Sequence, residues 1–318
     1  MTGASQPHVL AADAAGIAEA AQILRNGGIV AVPTETVYGL AARADSDQAV
    51  AEIFRAKGRP DFNPLIVHVA DIDGARRLAR FDASAELVAQ AFWPGALTLV
   101  LPRLGGAALS SAVTAGLTTV ALRSPSHPVM RAVLAAAGVP LAAPSANRSG
   151  ALSPTSAVHV AASLGGNIDC IIDGGACEAG IESTIIAQRA SGSWELLRPG
   201  PITEDQIARH VGALGDATSA GKGKIEAPGQ LSGHYSPGKP LRLNAQSAQP
   251  DEFHIGFRDI TGSENLSSTG DLALAAAQLY AVLHRAAASD KLRIAVAPIP
   301  DHGLGTAINE RLRRAAAA

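Results

Sequence analysis

The chain is poor in aromatic residues and has no marked excess of charge. Aromatic residues make up 3% of its 318 residues, so the core must be built mainly from the aliphatic part of the 47% hydrophobic content. The 26 basic and 28 acidic residues give a formal net charge of -2. This balance argues against a dedicated nucleic-acid-binding protein, which usually carries a clear positive excess. A local cluster of basic residues is still compatible with this near-neutral net charge.

Several familiar motifs are also missing. The two cysteines, Cys170 and Cys177, form no CxxC pair and have no histidine at ligand spacing, so neither a zinc site nor a disulfide framework is predicted. The segment "GDATSAGKG" fails as a P-loop because Gly223 stands where Ser or Thr is required. There is no GxGxxG fingerprint either. A nucleotide site would therefore have to be assembled from scattered residues.

Hydrophobic stretches of membrane-spanning length are lacking as well. The Ala-rich stretches are interrupted by polar residues, and the first residues do not show a basic segment followed by an apolar one. These features predict a soluble, cytoplasmic protein without membrane contact.

Helix and strand patterns alternate through the first two-thirds of the chain, which predicts an α/β fold with a large central sheet. The length favours two domains. A Gly-, Ser- and Pro-rich stretch over residues 212–240 is the best linker, and a smaller α/β unit follows it. We therefore divide the chain into a domain at 1–211, the linker and a domain at 241–318.

Positive side chains are placed where the backbone must hold them in position. Lys57 and Arg59 flank Gly58 at a predicted helix end, and the prolines that follow force a fixed, non-helical path. Cations held in this way suit phosphate oxygens. Arg123 closes the apolar strand "TTVALR" and needs a carboxylate partner, from the protein or from a substrate. Thr36 follows another strand, "GIVAVP", at the kind of sheet edge where α/β proteins bind ligands.

Other polar residues allow two interpretations each. His68 is either a core histidine or a ligand to the same site, and the segment Ser145–Asn147 is either a turn or a binding loop. Ser183, Arg198 and Tyr235 are similarly ambiguous. Considered together, these residues predict one polar cavity for a phosphate-bearing substrate.

The motifs taken in order resemble one family. "PTETVYGL", Lys57-x-Arg59, "NPLIVHV", "ALRSPSHP", Ser145-x-Asn147, "ESTII", "LRPG" and "HYSP" look like those of the YrdC-like threonylcarbamoyl-AMP synthase family. The resemblance spans residues 15 to about 240. The domain beyond "HYSP" resembles the two-domain Sua type. The resemblance implies an N-terminal YrdC-like twisted open sheet flanked by helices and a smaller, Rossmann-like C-terminal α/β domain.

The resemblance also implies a reaction, in which L-threonine, bicarbonate or carbon dioxide, and ATP give threonylcarbamoyl-AMP and pyrophosphate. It implies Mg²⁺ brought by ATP without a direct protein ligand. A tRNA threonylcarbamoyl transferase complex would use the product to modify the adenosine next to the anticodon, and weak contact with tRNA itself is left open. The implied threonine contacts are Thr36, His68, Arg123, the backbone of Ala143, and Ser183. The implied ATP contacts are Arg59, Asn63, Thr119, Ser145, Asn147, Ser153, Arg198 and Tyr235.

Lys57 and Arg59 are the catalytic residues that this resemblance implies, because they can offset charge that builds up on the phosphates. No residue is an evident general base. We further expect the linker that carries Tyr235 to act as a lid over the cavity.

Two alternative functions remain open from the sequence. One is a non-catalytic module that binds double-stranded RNA or tRNA, which the near-neutral charge disfavours. The other is a carbamoyltransferase that works through carbamoyl-adenylate, as in hydrogenase-maturation relatives. Those relatives carry zinc-finger-like regions, for which this chain lacks the cysteine pairs.

Overall fold

The structure is a computed structural model that describes residues 7–216, 226–228 and 234–318. Its larger sheet runs through the first two-thirds of the chain. The strands are β1 (His8–Ala11), β2 (Val30–Val32), β3 (Gly39–Arg43), β4 (Ile66–His68), β5 (Leu97–Pro102), β6 (Thr119–Arg123), β7 (Leu141–Ala142), β8 (Cys170–Asp173), β9 (Thr184–Gln188), β10 (Trp194–Arg198) and β11 (Gly215–Asp216). The accompanying helices are α1 (Ala14–Arg25), α2 (Asp47–Lys57), α3 (Ile72–Arg76), α4 (Ala83–Phe92), α5 (Ser111–Thr114), α6 (Pro128–Ala137), α7 (Ala157–Leu164) and α8 (Glu204–Val211).

A second, smaller sheet follows the linker. Its strands are β12 (Leu241–Arg242), β13 (Glu252–Gly256), β14 (Glu264–Asn265) and β15 (Arg293–Val296), and its helices are α9 (Leu272–Ala288) and α10 (Leu304–Ala316). The strand pairs β12–β15, β15–β13 and β13–β14 are all parallel. The prediction of an α/β fold with a large sheet and a smaller α/β unit is therefore confirmed. Within the described residues, no helix has the length and apolar character needed to cross a membrane.

The large sheet is mixed, with the order β1-β8-β2-β3-β7-β4-β6-β5-β9-β10-β11. Parallel pairs such as β4–β6 alternate with antiparallel pairs such as β2–β3 and β7–β4. The sequence patterns did not indicate β3, because its residues "GLAAR" are nearly all buried and show no alternation. The predicted linker also begins inside this sheet, since the two-residue strand β11 pairs with β10. A strand that short leaves no periodic signal.

Local signals explain where the helices begin and end. The Ser46 side chain accepts a hydrogen bond from the backbone N–H of Ala49 and so caps α2, and Gly58 ends the helix in the left-handed conformation with φ 57°. His127 caps α6 ahead of Pro128, which occupies the first helical position. The loop that carries Arg59 therefore leaves α2 at a fixed point.

Helices cover the two faces of the large sheet unequally. One face packs against α2, α4, α7 and α8 through the largest apolar cluster, which includes Ile53, Val88, Val160 and Ile207. On the other face, α1 and α6 cover the part formed by β1, β2, β3, β7 and β8. No described helix packs over β4 and β6 on that face. This gap is where the polar side chains of the next section lie.

The C-terminal domain packs closely against a loop of the first domain. Gly180 lies there at φ +68°, and a Cβ atom built on it would come within 2.4 Å of the Ala277 backbone oxygen in α9. Gly192 has a similar φ of +85°, but a Cβ on it would meet nothing within 4 Å. The two glycines thus share a conformation and differ in their surroundings.

This contrast gives a test of the domain contact. We expect Gly192→Ala to cost about 1 kcal/mol, the usual cost of a left-handed alanine. Gly180→Ala should cost about 1 to 3 kcal/mol more, because the added methyl group overpacks the contact with α9. Calorimetric unfolding of both variants checks this. Equal losses would show that the contact between Gly180 and α9 does not form.

Candidate active site

One cavity lies over the open part of the sheet face. Its empty space, counted with the open mouth, is about 470 Å³. His68 and Arg123 stand side by side on it, because β4 and β6 are paired in register at these residues. The other lining residues are Thr36, Val37, Arg59, Ile66, Ala143, Pro144, Ser145, Glu182, Ser183, Arg198, Pro228, His234 and Tyr235. The site therefore lies on a face of the sheet and includes the carboxyl ends of β4 and β6, whose last residues are His68 and Arg123.

Buried polar atoms without hydrogen bonds are concentrated at this cavity. In the described part of the chain they include Asn63 Oδ1, His68 Nδ1, Asn147 Oδ1, His234 Nδ1 and Tyr235 Oη. Glu35 Oε1 and Arg123 Nη2 also lack an aligned hydrogen bond, but they lie 2.7 Å apart as an ion pair. Each belongs to a lining residue or lies within a few residues of one. An unsatisfied buried polar atom costs about 1 to 3 kcal/mol, and such atoms are rare in folded proteins. A polar ligand that supplies partners for them would recover part of this cost.

A buried ion pair forms the first half of the site. Arg123 Nη2 lies 2.7 Å from Glu35 Oε1, close enough for an ion pair although the two atoms are not aligned as a hydrogen bond. Arg123 Nη1 donates to Thr36 Oγ1 at 2.9 Å, and Nε donates to the Gly95 carbonyl at 3.2 Å. Burial would raise the pKa of Glu35, but the charge of Arg123 and its hydrogen bonding lower it to about 2. The carboxylate partner that Arg123 was expected to need is therefore supplied by the protein.

Two further buried arginines form the second half. Arg59 is held by the carbonyls of Asn63 and Pro64, to which Nε and Nη2 donate at 3.3 and 3.0 Å. Arg198 donates from Nε to the Ser183 carbonyl at 3.0 Å and from Nη2 to Ser183 Oγ at 3.2 Å. Burial lowers the pKa of both guanidinium groups, that of Arg59 to about 10, and their mutual repulsion adds to the effect on Arg59. Both stay charged near neutral pH and would gain from an anion.

Lys57 is placed differently from the prediction. It does not line the cavity, and its ammonium group donates to the carbonyls of Ser145 and Asn147. Burial, with repulsion from Arg59, lowers its pKa well below the ordinary value. The Lys57 side chain thus fixes the loop Ser145–Asn147 through these two carbonyls. The N–H donors of Lys57 that were expected to reach phosphate are used in these hydrogen bonds.

The remaining predicted residues either line the cavity, lie behind its lining or, for Thr119, lie away from it. Thr36, His68, Arg123, Ala143, Ser183, Arg59, Ser145, Arg198 and Tyr235 all line the one cavity. Asn63, Asn147 and Ser153 lie behind the lining, where Ser153 donates to Glu182 and the two asparagines each present an unpartnered oxygen. Thr119 does not line the cavity. It shares the sheet face of Arg123 but lies ~13 Å further along β6 at the usual rise per residue.

Tyr235 and the linker are described only in part. Residues 217–225 and 229–233 of the predicted lid lie outside the described residues. Within the described part, Ala227 packs on the apolar cluster beside the cavity, and Pro228 accepts a hydrogen bond from Arg198. Tyr235 is buried with φ +67°, an uncommon conformation for a bulky residue, and such strain is often found at functional sites.

Three ionisable residues in or beside the lining were missed from the sequence: Glu35, Glu182 and His234. Each directly precedes a residue that was singled out, namely Thr36, Ser183 and Tyr235. Burial lowers the pKa of His234 to about 3, and burial with the nearby charge of Arg123 does the same for His68. Both imidazoles are therefore neutral at pH 7, and a neutral imidazole can accept a hydrogen bond at its unprotonated nitrogen.

The acidic groups at the site already have partners. Glu35 is paired with Arg123, and Glu182 with Arg311 at 2.9 Å. No group of three or more His, Cys, Asp or Glu side chains among the described residues is arranged to hold a metal ion.

The chain is similar to known proteins along most of its length. A Sua5/YciO/YrdC family model, described as telomere recombination, matches residues 22–200, and a model described as the threonylcarbamoyl-AMP synthase C-terminal domain matches residues 202–317. The threonylcarbamoyl-AMP synthase of Bacillus subtilis is 42% identical over 94% of this chain and 92% of its own. The crystal structure of Pyrococcus abyssi Sua5 complexed with L-threonine superposes with a TM-score of 0.88 at 34% identity, over 97% of each chain. Full-length HypF is 21% identical over 58% of this chain and 30% of its own with a TM-score of 0.52, which shows a shared fold alone.

The ion pair between Glu35 and Arg123 predicts a particular pH dependence of stability. Because the pKa of Glu35 is lowered from 4.5 to about 2 on folding, its contribution is fully present above pH 4.5 and is lost as the pH falls toward 2. We expect Glu35→Gln to cost about 3 kcal/mol at pH 7, since Arg123 loses its buried partner. The difference from wild type should shrink steadily below pH 4.5. Urea unfolding at several pH values measures it.

A matched control is Glu52→Gln, which breaks an exposed ion pair with Arg55. That change should alter stability by less than about 0.5 kcal/mol at each pH. A difference for Glu35→Gln that stays constant down to pH 3 would contradict the charged state assigned to Glu35.

Proposed function

Because the chain belongs to the Sua5/YciO/YrdC family in its two-domain form, we propose that it is a threonylcarbamoyl-AMP synthase. The reaction joins L-threonine and bicarbonate or carbon dioxide to the α-phosphate of ATP and releases pyrophosphate. The Bacillus subtilis relative, which matches over 94% of this chain, carries this name, and the match to HypF covers 58% of this chain and shows the fold alone. The two alternative functions considered from the sequence are therefore not favoured.

One observation carries the assignment to this cavity. All five residues predicted for threonine and four of the eight predicted for ATP line the same cavity, and the unsatisfied buried polar atoms are found in or beside it. A ligand with a carboxylate, a hydroxyl group and phosphates offers both acceptors and donors to these atoms. The cavity thus suits two polar substrates bound side by side.

The first half of the cavity suits an amino acid. Arg123 is the natural partner of the threonine carboxylate, which it would share with Glu35. Thr36 Oγ1 and Ser183 Oγ are short hydroxyl groups on either side that can bind the polar groups of the substrate. The threonine amine must lose a proton before it attacks carbon dioxide, and neutral His68 is the lining residue that can accept a hydrogen bond from it.

The second half suits phosphates. Arg59 and Arg198 are held in place by backbone carbonyls before a ligand arrives, so little reorganisation is needed when negative charge builds up on the phosphates. Lys57 contributes indirectly, by fixing the loop on which Ser145 lies. A magnesium ion held by the triphosphate would add charge neutralisation, and the chain would bind it through ATP.

Positioning supplies the remaining part of catalysis. Holding the carbamate oxygen next to the α-phosphate can contribute about 7 to 11 kcal/mol without any further catalytic group. The carbamate and the mixed anhydride both decompose in water, so closure matters. Tyr235 and Pro228 already cover one side of the cavity, and the linker that contains them is the lid in this proposal.

The product would pass to a transferase complex that modifies the adenosine next to the anticodon of tRNA. Near-neutral net charge favours a free adenylate as the transferred species over tight tRNA binding by this chain. We place the reaction in the cytoplasm, where ATP and tRNA occur together. The buried, unpaired thiols of Cys170 and Cys177 are compatible with a reducing compartment.

The proposed activity is tested by product identity. We expect ATP, Mg²⁺, bicarbonate and L-threonine together to release pyrophosphate and to give an adenylate with the mass of threonylcarbamoyl-AMP. Omitting threonine, or removing Mg²⁺ with a chelator, should abolish the product. Pyrophosphate release without that mass, or steeply salt-dependent tRNA binding without any pyrophosphate, would contradict the proposal.

Arg123 allows a sharper test of the threonine half. Because Arg123→Met alone would leave Glu35 buried and unpaired, the double variant Arg123→Met with Glu35→Gln is the better choice. We expect it to raise the KM for threonine by about 10- to 100-fold, the range for losing a charged hydrogen bond. The KM for ATP should change less than about 3-fold. Arg59→Met is the matched variant, with the opposite pattern, and equal losses for both substrates in both variants would refute the division of the cavity.

A further inference from the structure

One arginine of the C-terminal domain contacts the wall of the cavity from its outer side. Arg311 lies on α10 and is fully buried. Its Nε donates to Glu182 Oε2 at 2.9 Å, Nη2 to the Glu182 carbonyl at 3.4 Å and Nη1 to the Pro199 carbonyl at 2.9 Å. Glu182 and Pro199 belong to the first domain. The guanidinium group thus links the two domains at the wall of the cavity.

Glu182 is the acidic residue of that wall, and the other domain supplies most of its compensation. Tyr280, on α9, donates its hydroxyl group to the two carboxylate oxygens at 3.1 and 3.0 Å, and Ser153 donates from the first domain. Burial would raise the pKa of Glu182, but the charges of Arg311 and then of Arg198 lower it to about 2. Glu182 is therefore a permanent negative charge that two C-terminal helices neutralise.

Arg311 also contacts the aromatic residue of the linker. Its guanidinium carbon lies 5.5 Å from the centre of the Tyr235 ring, and the Tyr280 ring lies 5.6 Å from the same ring. A cation over an aromatic ring is a stabilising contact. Tyr235 has a strained backbone and no hydrogen-bond partner for its hydroxyl group within the described residues. Its ring is therefore held in the cavity wall by side chains of the C-terminal domain.

Removing Arg311 would leave a buried carboxylate without its main partner, next to Arg198. Arg198 lines the same cavity as Glu182, and after Arg311 its charge is the next that lowers the pKa of Glu182. If Arg198 turned to Glu182, it would give up its contacts with Ser183, and its charge would be unavailable to an incoming phosphate. Tyr235 would lose its cationic neighbour at the same time.

We propose that Arg311 is a positioning residue for the nucleotide half of the cavity, acting through Glu182 and Tyr235, so that docking of the C-terminal domain completes the active site. This inference rests on the proposed function for its kinetic readout. It gives the C-terminal domain an indirect part in binding ATP. No described residue of that domain lines the cavity itself.

The experiment compares five variants of the full chain. They are Arg311→Met, Arg311→Lys, Tyr280→Phe, the double variant Arg311→Met with Glu182→Gln, and the control Arg313→Met. Arg313 lies two residues further along the same helix in an exposed ion pair with Asp301. For each we would measure kcat and KM for both substrates, and the affinity for a non-hydrolysable ATP analogue by calorimetry.

We expect Arg311→Met to lower kcat/KM for ATP by about 10-fold or more, with less than about 3-fold change in KM for threonine. Arg311→Lys should lie between it and wild type, because it keeps the charge and loses the forked contact. Adding Glu182→Gln to Arg311→Met should restore most of the loss, since a neutral amide can keep its hydrogen bonds without an unpaired charge. Arg313→Met should match wild type.

A purely structural role for Arg311 predicts a different outcome. The double variant would then be no better than Arg311→Met, or both substrates would be affected equally, and either result would overturn the inference. If Arg311→Met does not fold, Tyr280→Phe and Arg311→Lys decide, and wild-type ATP kinetics in both would refute it. If wild type itself makes no adenylate, the proposed function fails, and the affinities for the ATP analogue still report on the role of Arg311.

Discussion

Three buried arginines in one cavity are the constraint on which the rest of the site depends. Arg59, Arg123 and Arg198 are each at most 8% exposed, and guanidinium groups cannot shed their charge near neutral pH. Burying a charge is costly unless it is paired and hydrogen-bonded. The surrounding structure answers this cost in part, with loop carbonyls for Arg59, Glu35 for Arg123 and Ser183 for Arg198. The positive charge that remains uncompensated creates affinity for anions.

This partial compensation separates the two halves of the cavity. Arg123 has a full carboxylate partner, so a substrate carboxylate there must share it, which favours a small ligand that also satisfies neighbouring hydroxyl groups. Arg59 and Arg198 are held mainly by neutral oxygens and lower each other's stability as cations. A highly charged group such as a triphosphate gains most at this second pair. The degree to which each arginine is neutralised before a substrate binds thus determines which half of the cavity suits which substrate.

Sequence patterns predicted the α/β class and most helices and strands, and the family resemblance added to them named nine of the residues that line the cavity. They succeeded where a chemical signal is local, as with the caps of α2 and with Arg123 at the end of an apolar strand. They failed where the deciding interaction comes from distant parts of the chain. Lys57 looked like a phosphate ligand beside Arg59, and only the fold shows that its ammonium group is taken up by carbonyls about ninety residues away. Glu35, Glu182 and His234 stood next to noted residues, yet their burial and partners could not be known from the sequence.

The position of the cavity on a sheet face also explains why no nucleotide-binding motif is present. A P-loop concentrates its contacts in one stretch of chain, because successive backbone N–H groups surround the phosphates. Here the contacts come from neighbouring strands and the loops between them, so each contributes one or two side chains and the spacing is set by strand pairing. His68 and Arg123 are adjacent because β4 and β6 are in register, although they are 55 residues apart in the chain. Such a site can be read from the sequence only as a set, and its geometry depends on every element that fixes the sheet, including those that approach it from the second domain.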